Sequence, residues 1–459
     1  MQLPVSSVGI IADDLTGACD TALQFFGSRT RARILVNLPD SSSSLPTRQE
    51  ERGQNTVWAI NTSSRHCQPY EAQALARSAL ALCRDRYSVD HYYKKIDSTL
   101  RGHIAQECLG LLDELRAQCA IIVAAYPAEG RRTIGGYQIV RGVPVEKTIV
   151  ARDPLFPVRQ SHVPTLLAQN TRADLVGHVS LSEVLHGAGP ILVKLKELVG
   201  QGRKLIVVDA ATNEDLEQIA LAIEKARKYA QILPCGSAGL AKALADLWME
   251  ESSERDKEAD LSSLQTQTSP MLMVIGSNTE TTRQQLRKLI EQYPYFGMDS
   301  KLEVFELPAE IALGLVPPDD LIRHIIQAMG ERNTVVLSSA SSEEAYRRTL
   351  TLANEHGMED VQASRAVQET LGNMVKMLAQ LAGNFKLLLA GGETTCHVCD
   401  AINAQELEIL AEVEASIPLT KDNHGRWIVT KSGGFGSPMV LLNAVRFVQQ
   451  FETSTPAAV

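Results

Sequence analysis

The sequence lacks the features that mark several classes of protein. No window reaches the about 18 uninterrupted apolar residues of a membrane-spanning helix, and the first residues hold no basic region followed by an apolar stretch of signal-peptide length. The eight cysteines are scattered over 459 residues, which is typical of reduced thiols and not of a disulfide framework. A net charge of -9 argues against a nucleic-acid-binding face. These absences predict a soluble, cytoplasmic protein without a membrane or a nucleic acid as partner.

Apolar residues, in contrast, are plentiful and regularly placed. They make up 44% of the chain, as expected for full globular cores, and the length favours two or three domains. Short apolar runs alternate with amphipathic helical stretches. The strand candidates include VGIIA, TVWAI, HYYKKI, AIIVAA, KLIVVDA, PMLMVIG, FKLLLAG and RWIVTK. Because continuous apolar strands suit sheets covered on both faces, the pattern predicts α/β domains, each with a mainly parallel sheet flanked by helices.

A polar segment separates the two halves of this pattern. The stretch EESSERDKEADLSSLQTQTSP has almost no apolar residue, and a new strand–loop–helix series starts directly after it. We interpret it as a linker over 250–270, between an N-terminal domain at 1–249 and a C-terminal domain at 271–459. A long surface insertion within one domain is the alternative.

Two adjacent acids follow the first predicted strand. VGIIA leads directly into Asp13 and Asp14, at the strand end where open parallel sheets bind ligands. A carboxylate there can accept a hydroxyl proton or hold a hydroxyl group by a hydrogen bond. One Asp would equally serve as a helix N-cap, but a pair favours a site. Gly17 is expected to permit a tight turn into the next helix.

The stretch HYYKKIDSTLRGH brings cations, an acid and hydroxyls close together. Lys94 and Lys95 are expected on opposite faces of a strand, because side chains alternate along it. The polar residues that follow them are Asp97, Ser98, Thr99 and Arg101. An Arg fork suits a carboxylate in bidentate geometry. The plain alternative is a capped helix with solvated charges.

Further cations follow other strands of the first half. Arg65 ends the stretch NTSSR, while Arg131 and Arg132 lie in a Gly-rich loop before a predicted hairpin. Cations and carboxylates gathered at strand ends fit a small polyhydroxylated anion as ligand.

The strand ends of the second half carry small residues instead. They occur in VIGSNTETTRQQ, LLAGGETTCHV and IVTKSGGFGSP. Unpaired backbone amides in glycine turns and at helix N-termini bind phosphates, so three such loops favour a phosphate-binding domain. Neither the P-loop pattern nor G-x-G-x-x-G is present, so a nucleotide would bind in an unconventional way.

Taken together, these motifs resemble those of the four-carbon acid sugar kinase family. IADDLTGACDT, YKKIDSTLRGH, YPAEGRRTIGG, GSAGLA, GGETT and TKSGGFG occur in the family's order, from about Val8 to about Val448. The family includes D-threonate, D-erythronate and 3-oxo-tetronate kinases. The resemblance implies a two-domain kinase whose N-terminal domain binds the sugar acid and whose C-terminal domain binds ATP. The chemistry also implies Mg²⁺, although no dedicated metal motif is visible.

The resemblance also implies roles for individual residues. On the substrate side these are Asp13, Asp14, Arg65, Lys95, Asp97, Ser98, Thr99 and Arg101, with Asp14 and Asp97 as candidate catalytic acids. On the nucleotide side they are Ser277, Gly391, Gly392, Glu393, Thr394, Lys431, Gly433, Gly434 and Gly436. The extra Arg in AEGRRT leaves open which of Arg131 and Arg132 takes part. INTSSR and RGVPVEKTIVARDPLFPV look closer to the threonate and erythronate kinases than to the oxo-tetronate group. A homodimer is a further expectation.

Two interpretations from other classes compete with a kinase. An NAD-dependent dehydrogenase would suit α/β domains with glycine turns, but G-x-G-x-x-G and the acid about 20 residues beyond it are missing. A non-catalytic sugar-acid-binding protein would not favour paired acids beside its anion.

Overall fold

The computed structural model describes residues 7–27, 29–39, 55–87, 89–153, 155–249, 269–297 and 300–454. The chain divides into two compact units, Met1–Arg255 and Asp256–Val459. Most of the predicted linker at 250–270 lies outside the described residues, so the linker and the exact domain limits stay predictions.

The N-terminal unit is built on a parallel sheet with helices around it. Its strands are β1 (Ser7–Ala12), β2 (Thr30–Leu35), β3 (Asn55–Asn61), β4 (His91–Lys95), β5 (Cys119–Val123), β6 (Arg131–Ile134), β7 (Tyr137–Val140), β8 (Val143–Pro144), β9 (Val176–Val179), β10 (Leu205–Val208) and β11 (Ile232–Gly236). Its helices are α1 (Leu15–Phe25), α2 (Pro69–Tyr87), α3 (Ile104–Leu115), α4 (Val163–Gln169), α5 (Leu181–Val184), α6 (Ala188–Gly200), α7 (Asn213–Ala226) and α8 (Ala238–Trp248). The strands of the main sheet follow the order β2-β3-β1-β4-β11-β5-β10-β9.

The register of this sheet positions the candidate site. All six residues of β1 are buried, as expected for an apolar run covered on both faces. Ala12 at the end of β1 pairs with Asn61 of β3 on one side and with Lys95 of β4 on the other, both in parallel. The segments that follow β3, β1 and β4 therefore leave the sheet side by side.

Helices α2 and α3 pack against each other beside this sheet. The buried residues of α2 recur at helical spacing and are Ala72, Ala76, Ala79, Leu80 and Cys83. The small side chains let the helix lie close to its neighbours. Leu80 is completely buried, and truncating such a leucine to alanine costs about 2–5 kcal/mol.

The predicted hairpin is present as a small antiparallel sheet of β6, β7 and β8. Its turn contains Gly135 and Gly136, both with positive φ (59° and 77°). The buried carboxylate of Asp209 accepts hydrogen bonds from both of their backbone amides, at 2.6 and 2.9 Å. Gln138 Nε2 donates to the carbonyl of Ser98 at 2.7 Å. The hairpin is thus attached to the segment that follows β4.

The strands of the C-terminal unit also pair mainly in parallel. Its strands are β12 (Met271–Ile275), β13 (Leu302–Glu306), β14 (Thr334–Ser338), β15 (Lys386–Ala390), β16 (Glu406–Glu414), β17 (Ile417–Asp422) and β18 (Trp427–Lys431). Its helices are α9 (Glu280–Gln292), α10 (Ala309–Ala312), α11 (Asp319–Gly330), α12 (Glu343–Glu355), α13 (Asp360–Leu381), α14 (Gly392–Ala401) and α15 (Val440–Ser454). The strand order is β13-β14-β12-β15-β18-β17-β16, and the pairings of β16 and β17 are antiparallel.

The three glycine loops follow neighbouring strands of the C-terminal unit. Ile275, Ala390 and Lys431 end β12, β15 and β18 and stand in register, so their loops start at the same edge. Within the described residues, no helix combines the length and apolar character needed to cross a bilayer.

Candidate active site

Arg65 joins the two acids that follow β1. It belongs to a short 3-10 turn after β3, and its side chain is 8% exposed. Its Nε donates to Asp13 Oδ2 and its Nη2 to Asp14 Oδ1, both at 2.8 Å. Asp14 occupies the N-cap position of α1, yet its side chain makes no capping bond; it accepts from Thr16 Oγ1 at 2.8 Å instead. The two carboxylates therefore bind Arg65 and do not cap the helix.

The surrounding charges keep Asp14 ionised. Burial by itself raises its pKa, but the nearby cations Arg65 and Lys95 outweigh burial, and the pKa is lowered below its ordinary value. For Arg65, burial acts to lower the pKa, and the carboxylates of Asp13, Asp14 and Asp97 raise it well above the usual range. The site thus holds permanent charges of both signs away from water.

Asp97 and Arg101 form a second ion pair beside the first. Arg101 Nε lies 2.6 Å from Asp97 Oδ2, and its Nη1 lies 3.1 Å from Asp153 Oδ2. Thr99 Oγ1 also donates to Asp97 Oδ2. Burial raises the pKa of Asp97, but Arg101 and Arg65 hold it well below its usual range. Arg101 keeps 28% of its side chain exposed, so it can still meet a ligand.

The lysines of β4 do point to opposite faces. Lys94 turns to Glu107, with Nζ to Oε2 at 2.9 Å and both side chains buried. Lys95 turns to the first turn of α1, where a Cβ built on Gly17 would lie 2.8 Å from its Nζ and 2.4 Å from Asp14 Oδ1. Gly17 lies inside α1, so the turn role predicted for it is wrong. It is needed because any side chain there would enter the space of Asp14 and Lys95.

Gly102, which follows Arg101 in the stretch HYYKKIDSTLRGH, approaches the acid pair closely. It has φ 94°, and a Cβ there would lie 2.8 Å from Asp13 Oδ2. The loop after β4 thus touches the acid after β1 directly. Ser98 is buried in the same loop.

The hairpin separates the roles of the two arginines in AEGRRT. Both lie in β6, the first strand of the hairpin, so their predicted place in a loop before it is wrong. Arg131 is buried there and Arg132 is exposed, because side chains alternate along a strand. Arg131 Nη1 donates to the carbonyl and a carboxylate oxygen of Glu129, at 2.8 and 3.1 Å. Burial lowers its pKa, although Glu129 and Asp97 oppose this. The inward-facing arginine is therefore Arg131.

In the C-terminal unit the three loops meet at Ser277. A Cβ on Gly433 would lie 2.4 Å from Ser277 Oγ, and one on Gly391 would lie 3.3 Å from the Ser277 backbone nitrogen. Gly391 has φ 125° and stands at the N-cap of α14. These contacts require glycine on both sides of the serine.

Lys431 lies beneath this meeting point with 1% exposure. Its Nζ donates to the carbonyls of Ser432 and Gly433, at 3.0 and 3.3 Å. The Gly433 carbonyl also accepts from Thr279 Oγ1 and Thr282 Oγ1, at 2.8 and 2.9 Å. These threonines stand at the start of α9. Apart from their position just after GSN, nothing in the sequence indicated that these threonines would contact this loop.

One side-chain amide bonds several carbonyls at the end of the TKSGGFG loop. Gln285 Nε2 donates to the carbonyls of Phe435, Gly436 and Ser437, at 3.1, 3.1 and 3.0 Å. Gly436 has φ 88°, and Gly434 is half-buried beside it. No spacing rule could have identified Gln285.

The GGETT segment has a partly structural role. Gly392 and the half-buried Glu393 start α14, where unpaired amides can meet an anion. Thr394 is buried and donates to Gln368 Oε1 at 2.8 Å. The structure therefore brings Ser277, Gly391, Gly433 and Lys431 together and places Thr394 in the packing behind them.

Comparison with known proteins places this arrangement in a family. The chain matches a sugar-binding N-terminal domain over residues 8–244 and a nucleotide-binding C-terminal domain over residues 272–441. A D-erythronate kinase of Heliobacterium modesticaldum is 30% identical over 454 residues, which cover 94% of this chain and 95% of that protein. The chain belongs to the four-carbon acid sugar kinase family. A D-threonate kinase of Salmonella typhimurium is 29% identical, over 96% of this chain and 98% of the other.

More distant relatives share the full length and the fold. A 3-oxo-tetronate kinase of Brucella melitensis is 23% identical, over 96% of both chains. Crystal structures of proteins from Haemophilus influenzae and Salmonella typhimurium match with TM-scores of 0.67 and 0.74, at 24% and 21% identity. They cover 95% and 96% of this chain and 99% of each of the other two. The predicted α/β fold and the sugar-acid kinase class are confirmed, which argues against a dehydrogenase and a non-catalytic binder.

Proposed function

We propose that the protein transfers the γ-phosphoryl group of ATP to a hydroxyl of a four-carbon sugar acid, D-threonate or D-erythronate, giving a phosphate ester and ADP. The observation that carries this proposal is the arrangement around Arg65, which bonds Asp13 and Asp14 at 2.8 Å each at the ends of adjacent strands. The two named relatives described above phosphorylate these acids, and the match to a nucleotide-binding domain agrees with ATP as the donor.

In this proposal Arg101 meets the substrate carboxylate. It is the partly exposed cation of the site, and Asp97 and Asp153 fix its position from behind. A planar guanidinium can bind a carboxylate through two parallel hydrogen bonds. Lys95, Ser98 and Thr99 would then contact the hydroxyl groups and the transferred phosphoryl group.

We assign the proton-accepting role to Asp14. A carboxylate whose pKa is strongly depressed is the weaker base, and Arg101 and Arg65 depress the pKa of Asp97 strongly. Asp97 is then the anchor of Arg101. The substrate hydroxyl would lose its proton to Asp14 as its oxygen attacks the γ-phosphorus. Because phosphoryl transfer depends mainly on positioning and charge neutralisation, a carboxylate of modest basicity is sufficient.

The loops around Ser277 would bind the phosphates of ATP through backbone amides and Lys431. Mg²⁺ is the customary companion of ATP, but the described residues contain no group of three His, Cys, Asp or Glu side chains placed to hold a metal. We therefore expect the ligands of Mg²⁺ to be phosphate oxygens and water. The cytoplasmic location and the homodimer stay predictions.

A substrate screen tests the proposal directly. The purified protein is incubated with ATP, Mg²⁺ and single acids, comparing D-threonate, D-erythronate, their L isomers, 3-oxo-tetronate and five-carbon aldonic acids, and ADP release is measured. We expect the highest kcat/KM with D-threonate or D-erythronate. A preference for 3-oxo-tetronate would overturn the choice of subgroup. No acid-dependent ADP release with any compound would overturn the kinase assignment.

A further inference from the structure

A fully buried ion pair lies under the candidate site and has no place in the proposed chemistry. Lys94 Nζ lies 2.9 Å from Glu107 Oε2, with exposures of 0% and 1%. The same ammonium donates to the carbonyls of Lys95 and Ile11, at 2.9 and 3.4 Å. Burying such a pair gives little net stability, because desolvation opposes the attraction between the charges. Its presence therefore calls for another explanation than stability.

The second oxygen of Glu107 leads to the turn that carries Arg65. Ser64 Oγ donates a hydrogen bond to Glu107 Oε1, and Ser64 is the first residue of that turn. Ser64 Oγ also lies 2.7 Å from Thr62 Oγ1, and the Thr62 amide donates to the carbonyl of Ala12 at 2.9 Å. The connection thus extends from β4 through α3 and the turn to the residue before Asp13.

The turn needs such external contacts because its entry is strained. Ser63 precedes it with φ 48°, a left-handed conformation that residues other than glycine adopt rarely. Asn61 holds one side of the turn, with Nδ2 to Ser63 Oγ and the Ser63 amide to Oδ1, both at 2.9 Å. Glu107 holds the other side. Arg65 must be placed closely, since it bonds two different carboxylates at once.

We propose that Glu107, itself fixed by Lys94, is a positioning residue that sets the Arg65 turn through Ser64 so that Arg65 meets Asp13 and Asp14 together. This inference rests on the proposed function of the site. The contacts of Glu107 are with Lys94 and Ser64, and it reaches Asp13 and Asp14 through other residues. Glu107 bonds Ser64 and pairs with Lys94, and removing the Ser64 hydroxyl breaks the first contact while leaving the buried ion pair in place.

The test compares Ser64→Ala with Ser7→Ala. Ser7 is a buried serine at the opposite end of β1, and its Oγ donates to Asp90 Oδ2 at 3.0 Å. Both variants lose a hydroxyl that bonds a carboxylate in the same unit, and Ser64→Ala leaves the Lys94–Glu107 pair intact. We expect similar small decreases in Tm. We expect kcat/KM for the sugar acid to fall about 10- to 100-fold only in Ser64→Ala, because small misplacements in an active site cost about this much.

The pH profile supplies a readout that a purely structural role would not change. Asp14 faces Arg65, Lys95 and Asp97, and Arg65 helps to lower its pKa. Loosening Arg65 should move the acidic limb of the kcat/KM profile to higher pH in Ser64→Ala and leave it in place in Ser7→Ala. Glu107→Gln, which still offers an oxygen to Ser64, should keep the parental limb while losing stability.

The outcomes separate the two proposals. If the parent protein is active, and Ser64→Ala has the same kcat/KM and the same acidic limb as the parent, the positioning role is overturned. If the parent protein is inactive, the proposed function is overturned. The NMR signal of the Arg65 Nε–H group then decides the positioning role. That signal is assigned by its loss in Arg65→Lys. That signal should shift or broaden in Ser64→Ala and not in Ser7→Ala. An unchanged signal would count against the inference whatever the activity.

Discussion

Asp14 and Lys95 face each other across the α-carbon of Gly17. A Cβ on that glycine would lie 2.4 Å from Asp14 Oδ1 and 2.8 Å from Lys95 Nζ. Because glycine has no side chain, the carboxylate of Asp14 and the ammonium of Lys95 can lie close to each other. The two residues come from the ends of neighbouring strands. The proposed base and Lys95 therefore share the space beside Gly17.

Gly17→Ala should therefore reduce activity far more than stability. Alanine favours a helix interior over glycine by about 1 kcal/mol, which offsets part of the cost of the crowding, about 1–3 kcal/mol, so Tm should fall only slightly. The added methyl group would displace Asp14 or Lys95, and kcat/KM for the sugar acid should fall at least about 10-fold. Gly200→Ala is the control, because a Cβ there meets nothing within 4 Å. Parental kinetics in a stable Gly17→Ala protein would remove this space from the site.

Asp14→Asn and Asp97→Asn should differ in the kinetic parameter they change. Loss of a general base lowers kcat by about 10²- to 10⁴-fold, so Asp14→Asn should act mainly on kcat. Asp97→Asn should release Arg101 and act mainly on the KM of the sugar acid. Steady-state kinetics of both folded variants would show this. The reverse pattern would make Asp97 the base.

Arg101→Ala should weaken binding of the sugar acid. A charge-assisted hydrogen bond contributes about 1.5–3 kcal/mol, which corresponds to about 10- to 150-fold in affinity. Calorimetry with the sugar acid measures the loss. Arg77→Ala is the matched control, because Arg77 pairs with Asp113 on the exposed surface, where ion pairs contribute little. Equal affinity in both variants would place the substrate carboxylate elsewhere.

Substitutions in the three glycine loops after β12, β15 and β18, the proposed nucleotide site, should change ATP binding without changing sugar-acid binding. In Gly433→Ala the new Cβ would lie 2.4 Å from Ser277 Oγ, which forces the loops after β18 and β12 apart. We expect the KM of ATP to rise and calorimetric affinity for the sugar acid to stay unchanged. Gly330→Ala, at an open position of α11, controls for the added methyl group. Unaltered ATP binding in Gly433→Ala would show that these loops only connect strands and helices.

His91 should make stability depend on pH in a mildly acidic window. Burial, aided by Arg227, lowers its pKa to about 4, below the value of about 6.5 in an unfolded chain. Between these values the unfolded chain binds more protons, so stability is full above about pH 6.5 and decreases as pH falls towards 4. His91→Phe keeps a ring against Trp248 and should flatten the decrease in Tm between pH 7 and pH 4. Parallel curves for parent and variant would exclude His91 as the cause.

Strands in the sheet interiors could be predicted from the sequence, whereas less apolar strands could not. β1, β5 and β12 are continuous apolar runs, and their burial on both faces produces that pattern. β13 was not predicted from the sequence. It lies at the edge of the sheet and is largely exposed, so it does not need a run of apolar residues. β2 escaped because Arg31 and Arg33 interrupt it; Arg33 is buried with its guanidinium 5.4 Å from the Trp58 ring.

Residues at strand ends were predictable because parallel register brings them together. Asp13, Arg65 and Asp97 follow adjacent strands, and their proximity follows from strand order. Glu107 and Gln285 were not predictable. Each lies on a helix, and its contacts with Ser64 and with the loop after β18 depend on how that helix packs, which no local spacing records.

The hairpin is attached mainly through its backbone. Asp209 binds the amides of Gly135 and Gly136, and these bonds do not depend on which side chains the neighbouring strands carry. Arg132 and Ile134 are exposed on β6. Mutation can therefore replace such outward residues while the hairpin stays in place beside Ser98. The hairpin is a module in which new outward side chains can arise during evolution without loss of the scaffold.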